Sequence, residues 1–512
     1  MESSIYTGEA AAAVQNLRLK FPGECDFIFK DFSFSVERGE KLLLLGPSGC
    51  GKSTLLQVLA GVIPGVVEVP MKCSGQIIPP SRGILFQDPD TQFCMPYVDE
   101  ELAFVLENRN VPREEMLPRM REALRQVGLD FNEIHVLIDS LSQGMKQRLA
   151  LASILLLDPD VLLLDEPSAL LDPEGRRQIW QAVRQIAGQR TLIIVEHRIE
   201  ELLELGLVDR VALIGPSGQL LGQGAPAELF SRCRKEIEAY GIWHPGVWEG
   251  RNRPEMTGRR TDAAPLIELS EFQGFRQGKE VIRAERAALF PGDFVAVTGP
   301  NGAGKSSLLL SLIGLLPSKG EYTLCGQRIS GSGSRKRRVR FAADRIGFVF
   351  QNPEFQFVEN EVIKEIAFSM IEAGVPADEA CRRAEKALYE FGLAGLGQRH
   401  PYQLSLGQKR RLSVAGAAVM DKPVLLLDEP TFGQDAVNTF AILRFCQELR
   451  RKGIAIIMVT HEEKIAETAA TRRWEVRNGV LTDYGTGEYH AEPLTGAVIP
   501  EGRQEDAERV TV

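Results

Sequence analysis

The stretch that decides the fold occurs twice: residues 46–54 read GPSGCGKST, and residues 299–307 read GPNGAGKSS. Each copy fits the pattern GxxxxGK[ST], follows a short apolar run that ends in glycine, and precedes a helix-like pattern. This order of strand, glycine-rich turn and helix is the setting of a phosphate-binding P-loop. The glycines let successive backbone N–H groups point at phosphate oxygens, and the helix N-terminus adds free donors. The sequence therefore predicts two nucleotide sites.

Every residue of the two P-loops is predicted to contact nucleotide. Lys52 and Lys305 are expected to reach the β- and γ-phosphates, and Ser53 and Ser306 to ligate Mg²⁺. Cys50 is expected to contribute its backbone only. The complete predicted set is Gly46, Pro47, Ser48, Gly49, Cys50, Gly51, Lys52, Ser53, Thr54, Gly299, Pro300, Asn301, Gly302, Ala303, Gly304, Lys305, Ser306 and Ser307.

An acidic pair follows a second apolar run in each half of the chain. VLLLDEP is found once from residue 161 and again from residue 424. Asp165 and Asp428 end these runs and are predicted to reach Mg²⁺, as a Walker B aspartate does. Glu166 and Glu429 follow directly, where a carboxylate can polarise an attacking water as general base.

The landmarks recur in the same order and register, which shows an internal repeat. Ser142 precedes Asp165 by 23 residues, and Ser405 precedes Asp428 by the same 23. The period is far too long for a solenoid repeat, so we interpret the chain as two complete domains. Apolar runs such as VLLLD and TLIIV show no alternation, which is typical of central parallel strands covered on both faces. The predicted fold class is therefore α/β, with two tandem P-loop domains built on mostly parallel sheets.

The predicted boundaries follow composition. The first domain is expected over residues 10–232 and the second over 265–484. Residues 233–264 are rich in Pro, Gly and Arg and are predicted to be a linker. Residues 485–512 are predicted to be a polar C-terminal tail.

Composition excludes several classes of protein. The net charge of the 512-residue chain is −9, which argues against nucleic-acid binding. The eight cysteines form no CxxC pair, so neither a disulfide framework nor a zinc knuckle is expected. No apolar run approaches the roughly 18–20 residues that span a bilayer, and the N-terminus lacks a signal-peptide pattern. We expect a cytosolic protein that another protein must hold if it works at a membrane.

Both halves resemble the ATP-binding-cassette ATPases. The residues that carry the resemblance are the P-loops, Gln87, Gln351, LSQGM at 141–145, LSLGQ at 404–408, the LLLDEP strands, Asp172, Asp435, His197 and His461. The resemblance implies ATP as nucleotide, Mg²⁺ as metal, ATP hydrolysis, and a helical signature subdomain in each domain.

The family also implies that the two domains face each other head to tail. Lys52 would then share a nucleotide site with Ser405 and Gly407. Lys305 would share the other site with Ser142 and Gly144. Each site would need one half from each copy, which explains why the P-loop occurs twice.

Further roles are implied by the resemblance. Gln87 and Gln351 would be Mg²⁺ ligands and members of the catalytic set. His197 and His461 would contact the γ-phosphate. Because the Lys, Gln, Glu and His positions are present in both halves, we predict two hydrolytic sites.

Two features depart from or extend the family pattern. Gln143 and Leu406 replace the middle glycine of the usual LSGGQ signature, and Met145 replaces its final glutamine in the first half. These replacements are expected at most to weaken the contact between the signature and the nucleotide. Phe21 and Phe275 lie where the family stacks adenine on an aromatic ring, with core packing as the alternative.

The segments QDPDTQF at 87–93 and QNPEFQF at 351–357 are similar to those of energy-coupling-factor ATPases, which serve vitamin and metal importers. VEHR at 195–198 and PTFGQD at 430–435 are also similar to that group. The likeness implies a membrane-embedded coupling subunit and a small substrate-binding membrane subunit as partners. It implies a peripheral protein on the cytoplasmic face of the membrane. Nucleic acid is not expected as a partner.

Docking in that group uses a groove beside the first glutamine of these segments. Gln92, Phe93, Gln356 and Phe357 are therefore expected near it, with core packing as the alternative for the two phenylalanines. The basic run RKRRVR at 335–340 is predicted to be a solvated loop, with contact to anionic lipid as the alternative.

Two other functions compete with the importer. One is a soluble tandem-cassette ATPase that acts on ribosomes, which the short Pro- and Gly-containing linker and the acidic charge disfavour. The other is a fused sugar-importer ATPase, which often has one degraded P-loop, whereas both P-loops are intact here.

Overall fold

The computed structural model describes residues 10–23, 26–169, 171–249, 264–329 and 335–485. Residues 250–263 of the predicted linker, residues 330–334 before the basic run, and residues 486–512 of the predicted tail lie outside these ranges.

The first half alternates strands with helices. Its strands are β1 (Ala10–Leu19), β2 (Phe29–Glu37), β3 (Lys41–Leu45), β4 (Met71–Lys72), β5 (Gly75–Ile77), β6 (Arg82–Leu85), β7 (Val161–Asp165), β8 (Thr191–Val195), β9 (Arg210–Ile214) and β10 (Leu220–Gly224). Its helices are α1 (Lys52–Leu59), α2 (Val62–Gly65), α3 (Val98–Asn108), α4 (Arg113–Gln126), α5 (Gln143–Leu155), α6 (Pro173–Ala187), α7 (Glu200–Glu204), α8 (Pro226–Arg232) and α9 (Arg234–Tyr240).

The second half repeats this order. Its strands are β11 (Ile267–Arg276), β12 (Lys279–Leu289), β13 (Phe294–Thr298), β14 (Ser318–Leu324), β15 (Gln327–Arg328), β16 (Ile346–Val349), β17 (Val424–Asp428), β18 (Ala455–Val459), β19 (Arg472–Arg477) and β20 (Val480–Asp483). Its helices are α10 (Lys305–Leu312), α11 (Arg335–Ala343), α12 (Val362–Glu372), α13 (Ala377–Glu390), α14 (Leu406–Ala418), α15 (Ala436–Arg451) and α16 (Glu463–Thr468).

The strand that leads into each P-loop is central in its sheet. In the first half the order is β10-β9-β3-β8-β7-β6, and β9, β3, β8, β7 and β6 pair in parallel. The second half has the same parallel core, β19-β13-β18-β17-β16. There the antiparallel strands join it into one sheet, because β12 pairs in parallel with β20. The predicted α/β class with mostly parallel sheets is confirmed.

The unbroken apolar runs are explained by burial on both faces of the sheet. In β7, Leu162 and Leu164 belong to one core cluster, whereas Val161 and Leu163 belong to the cluster on the other face. Successive side chains of a strand point to opposite faces, so both faces must be apolar where both are covered. The equivalent residues of β17 divide in the same way between two clusters.

A helical subdomain projects from each sheet, as the resemblance implied. In the first half α3, α4 and α5 pack against one another, and in the second α12, α13 and α14 do so. Helix α5 begins after Ser142 and α14 after Ser405, and each serine hydroxyl accepts a backbone N–H three residues on. The signature residues therefore lie at helix N-termini, where four backbone N–H groups lack helical partners.

Part of the predicted linker is structured and packs on both halves. Ile237 of α9 and the following Ile242 are buried in the core of the first half. Trp248 packs against the core of the second half. The domain boundaries remain predictions. The interpretation of residues 335–340 as a loop is wrong, because they form the start of helix α11.

Within the described ranges, every helix is too short or too polar to span a membrane.

Candidate active site

Glycine at the start of each P-loop helix is required by space and by backbone geometry. Gly51 and Gly304 precede α1 and α10 with φ of 97° and 108°, in the left-handed region. A Cβ on Gly51 would lie 2.6 Å from Ile28 Cγ2, and one on Gly304 would lie 2.5 Å from the Val281 carbonyl oxygen. Only glycine adopts this conformation without a side-chain clash.

Both P-loop lysines are buried and bound to their own loop. Lys52 Nζ donates to the carbonyl oxygens of Gly46 and Pro47 at 2.9 and 3.1 Å. Lys305 Nζ makes the equivalent bonds in the second loop, both of 2.8 Å. Burial lowers the pKa of Lys305. Each ammonium group is therefore held against the backbone of its own P-loop.

Each P-loop serine meets the acidic end of a neighbouring strand. Ser53 Oγ donates to Asp165 Oδ1 at 2.9 Å, and Ser306 Oγ to Asp428 Oδ1 at 3.1 Å. Burial raises the pKa of each aspartate to about 6. A hydroxyl and a carboxylate thus converge beside each buried lysine.

The glutamate after each aspartate has an uncommon backbone conformation. The φ angles of Glu166 and Glu429 are 46° and 51°, and their N–H groups donate to the carbonyls of Val195 and Val459 on the adjacent strands. Non-glycine residues with positive φ cost about 1–3 kcal/mol and are concentrated at functional sites. Both glutamates line a cavity that residues of both halves share.

A histidine bonds to each of these glutamates. Nε2 of His197 lies 3.0 Å from Glu166 Oε1, and Nε2 of His461 lies 2.9 Å from Glu429 Oε1. Gln87 Nε2 also donates to Glu166 Oε2 at 2.9 Å. The structure therefore joins the predicted Gln, Glu and His in one hydrogen-bonded group in the first half.

These contacts determine the ionisation of the two glutamates. Burial acts to raise the pKa of Glu166 and of Glu429, but the neighbouring histidine and lysine more than offset it, and both pKa values lie below the ordinary range. Both carboxylates are therefore ionised and able to accept a proton at neutral pH.

Residues from both halves line one cavity at the second P-loop. Ser142 and Gln143 of the first half face Lys305, Ser306 and other residues of the second across a cavity of about 530 Å³. Gln351 and Glu429 also line it. The structure thus brings Ser142 to the same site as Lys305, as the head-to-tail arrangement requires.

Two equivalent hydrogen bonds cross the boundary. The Ser48 N–H of the first P-loop donates to Asp435 Oδ2 at 3.2 Å, and the Asn301 N–H of the second P-loop donates to Asp172 Oδ2 at 2.8 Å. Each aspartate also caps the next helix of its own half. Each P-loop is thereby tied to the opposite half.

Three predicted nucleotide contacts, Phe21, Phe275 and Gly407, stay predictions. Phe275 lies outside the set that lines the second-site cavity, and the Lys319 ammonium is 5.0 Å from the centre of its ring. The adjacent Arg276 lines the cavity instead. Phe21 is 37% exposed. Gly407 is buried, and a Cβ placed on it would lie 3.0 Å from the Gln434 amide oxygen of its own half.

The residues that cross the boundary could not be recognised from sequence motifs. Asp172 and Asp435 were named only among the residues that carry the resemblance to the ATP-binding-cassette ATPases. Their N-cap position before a helix was a readable signal, but the partner of the second carboxylate oxygen was not. Gln143, which the motif marks only as a departure from the signature, lines the second-site cavity.

Comparison with known proteins identifies the family of this chain. The profile of a family described as ABC transporter matches residues 29–169 and 286–432, which is more than half of the chain. The chain belongs to the ABC transporter family. ABC transporter ATP-binding domains are ATPases, so this protein binds ATP and is an ATPase with two cassettes.

Relatives with the same tandem organisation support the assignment to the ABC transporter family. A Bacillus subtilis (strain 168) protein, provisionally named HMP/thiamine import ATP-binding protein YkoD, is 33% identical over 89% of this chain and 88% of its own length. A Methanosarcina mazei protein, provisionally named ABC transporter ATP-binding protein, is 30% identical over 95% of this chain and 90% of its own.

A solved structure shares the fold over nearly the whole length. The archaeal ribosome recycling factor, solved with an archaeal ribosomal stalk protein, aligns with a TM-score of 0.58 at 18% identity. The alignment covers 92% of this chain and 90% of that one. At this identity the likeness concerns the fold of tandem ABC cassettes alone.

Proposed function

We propose that this protein is the ATPase subunit of a membrane importer of the energy-coupling-factor type, which takes up a vitamin or a metal ion. The observation that carries the proposal is a contact made by the importer-like segments. Asp90 of QDPDTQF lies 2.6 Å from Lys146 Nζ on α5, and Glu354 of QNPEFQF lies 2.5 Å from Lys409 Nζ on α14. These segments are thus bound to the helices that begin at the signature serines.

This contact offers a path from a docked partner to the nucleotide sites. In each pair the lysine side chain is nearly buried, with 9% exposure for Lys146 and 12% for Lys409. A movement of either segment would therefore move the signature helix. We infer that movement of these segments couples the membrane subunits to the ATP sites.

Three apolar side chains within and beside the second segment are exposed. Phe355, Val358 and Tyr402 are 76%, 64% and 51% exposed. Exposed apolar patches on soluble domains mark interaction sites. Phe93 and Phe357, predicted near the groove, pack against the core clusters from partly buried positions. The exposed patch is therefore the better candidate for contact with a membrane-embedded coupling subunit.

The relative from Bacillus subtilis supports a vitamin-related substrate, since its name refers to import of HMP/thiamine. We propose the same class of cargo here, delivered by a small substrate-binding membrane subunit. The protein would then work on the cytoplasmic face of the membrane.

The residues beside the P-loops fit Mg²⁺. Each site offers a serine hydroxyl and an aspartate (Ser53 with Asp165, Ser306 with Asp428), which are the hard oxygen donors that Mg²⁺ prefers. Mg²⁺ is usually bound by one or two carboxylates together with substrate phosphates, so the nucleotide would supply the remaining ligands. The bound ion would neutralise phosphate charge.

The chain's own residues would perform the remaining chemistry. Lys52 and Lys305 would bind the terminal phosphates, and Glu166 and Glu429 would accept the proton of the attacking water. His197 and His461 hold these glutamates now and would contact the γ-phosphate once a nucleotide is bound. Closing of the second cavity would bring the Ser142 end of α5 onto the phosphates, since helix N-termini attract anions.

The likeness to the ribosome recycling factor makes a ribosomal role the second outcome to test. That likeness extends over both cassettes but concerns the fold alone. The acidic charge of −9 disfavours binding to ribosomal RNA. The test must therefore separate a membrane partner from a ribosomal one.

The test is purification of the tagged protein from detergent-solubilised membranes of its native host. We expect a multi-helix membrane protein in stoichiometric amount, together with a small membrane protein. Phe355→Thr with Val358→Cys resembles the first half, where Thr91 and Cys94 occupy these positions. This variant should lose the membrane protein and keep basal ATP turnover.

Tyr389→Thr is the matched control, because Tyr389 is 81% exposed on helix α13. It should retain the membrane partner. Recovery of ribosomal proteins, or of no membrane protein, would overturn the importer. Retention of the partner by the Phe355→Thr, Val358→Cys variant would overturn the docking surface.

A further inference from the structure

Two residues of opposite charge meet where the repeat faces its own copy. Arg198 directly follows His197 in the first half, and Glu462 directly follows His461 in the second, so the two occupy the same position of the repeat. Arg198 Nε donates to Glu462 Oε1 at 2.8 Å, and the terminal Nη2 of Arg198 donates to the same oxygen. At the boundary, equivalent positions of the two halves are therefore in contact.

The pair lies between the two ATP sites. A cavity of about 70 Å³ on the boundary is lined by Arg198, Glu462, both histidines and both catalytic-site glutamates, Glu166 and Glu429. Each member of the pair is one residue from a histidine that bonds one of those glutamates. A change in the separation of the pair therefore moves both histidine loops.

Charged groups surround the pair within the first half. The Glu196 carboxylate accepts the backbone N–H groups of His197 and Arg198, and Arg176 donates to Glu201 nearby. Side-chain exposure is 23% for Arg198 and 25% for Glu462, so solvent screens the pair only partly. Burial acts to lower the pKa of Arg198, but Glu462 more than offsets this and the net shift is upward.

We propose that Arg198 and Glu462 are the positioning residues that determine which cassettes pair. When the first cassette faces the second, arginine meets glutamate. When a cassette faces another copy of itself, from a second chain, arginine would meet arginine or glutamate would meet glutamate. A partly buried like-charged pair is strongly unfavourable, so the boundary accepts only unlike cassettes.

The choice of an ion pair at this place has a physical reason. Buried ion pairs add little net stability, because desolvation offsets their attraction, but loss of one partner is costly. They therefore discriminate between partners better than they stabilise them. At a pseudo-symmetric boundary, a hydrophobic pair would accept like and unlike cassettes equally. The inference concerns cassette pairing and does not depend on the importer.

The test is a charge swap in the full-length chain. Arg198→Glu places two carboxylates at the boundary, and Glu462→Arg places two guanidinium groups there. Each single variant should lower ATP turnover by at least about tenfold, through kcat more than KM. The double variant, Arg198→Glu with Glu462→Arg, restores opposite charges and should recover most of the lost turnover.

The single variants should also close less completely than the wild type and the double variant. X-ray scattering with ATP present should show a larger radius of gyration for each single variant than for the wild type and the double variant. Thermal unfolding checks that all four proteins fold. Should a single variant fail to fold, Arg198→Met and Glu462→Gln provide uncharged replacements for the same comparison.

The proposal is overturned if folded single variants match the wild type, or if the double variant is no more active than the single ones. The importer is tested separately, because a chain with defective pairing can still be assayed for its membrane partner.

Discussion

Trp243 Nε1 donates a hydrogen bond of 3.0 Å to the carbonyl oxygen of Gln434. Trp243 belongs to the segment predicted as linker, whereas Gln434 precedes the aspartate whose carboxylate accepts the Ser48 N–H of the first P-loop. The ring of Trp248 packs edge-on against Phe440, with centroids 4.9 Å apart, and anchors the same segment. The linker therefore reaches the first nucleotide site through two consecutive contacts.

Replacement of Trp243 by Phe should affect one nucleotide site only. It removes the bond to Gln434, worth about 1 kcal/mol, and keeps most of the ring packing. We expect about fivefold weaker ATP binding at the first P-loop, measured by equilibrium titration in a Lys305→Ala background. In a Lys52→Ala background the same substitution should have no effect. Equal weakening in both backgrounds would contradict the path through Gln434.

The glutamates should be required for hydrolysis and dispensable for binding. Glu166→Gln together with Glu429→Gln should lower phosphate release by about a hundredfold or more, because the general base is lost. The same protein should retain ATP in a closed form, which filter binding of labelled nucleotide detects. Each single variant should keep turnover at the other site. Normal turnover by the double variant would show that the general base has been misassigned.

Signature serines should act on the opposite P-loop. Ser142→Ala should lower turnover in a Lys52→Ala background, where only the second P-loop works, and leave the Lys305→Ala background unchanged. Ser405→Ala should show the reverse pattern. Both serines cap their helices, at a cost of about 1 kcal/mol when removed, but that loss is the same in either background. Steady-state ATPase assays of the four combinations test the head-to-tail arrangement.

Stability should fall as pH rises through the range in which the buried aspartates ionise. Burial raises the pKa of Asp165 and of Asp428 to about 6, above the ordinary value that they regain on unfolding. The folded state thus binds more protons between about pH 4 and pH 7, so ionisation over that range disfavours folding.

Wild type should therefore lose stability relative to Asp165→Asn with Asp428→Asn between about pH 4 and pH 7, by roughly 3 kcal/mol per site at most. Denaturant unfolding without nucleotide or Mg²⁺ measures the difference. A gap that stays constant with pH would mean that the two carboxylates titrate normally.

Much of the fold could be predicted because its signals are local. Val161 to Leu164 must be apolar on both faces if their strand lies inside a parallel sheet, and the pattern is readable without a structure. The grouping of Lys52, Ser53 and Asp165 follows from the same logic, since parallel strands end at one edge of the sheet. The basic helix α11 was missed because its composition is as typical of a solvated loop as of an exposed helix.

The sequence by itself determined two P-loop domains, their α/β class, and the serine and aspartate that meet beside each P-loop. Only the tertiary structure decided which residues cross the boundary: Asp435 to Ser48, Arg198 to Glu462 and Trp243 to Gln434. The physical reason is distance along the chain. A motif predicts contacts between residues that are close in sequence or that lie at the ends of adjacent strands. A contact between residues hundreds of positions apart depends on how two separately folded cores are placed, and no local pattern records that placement.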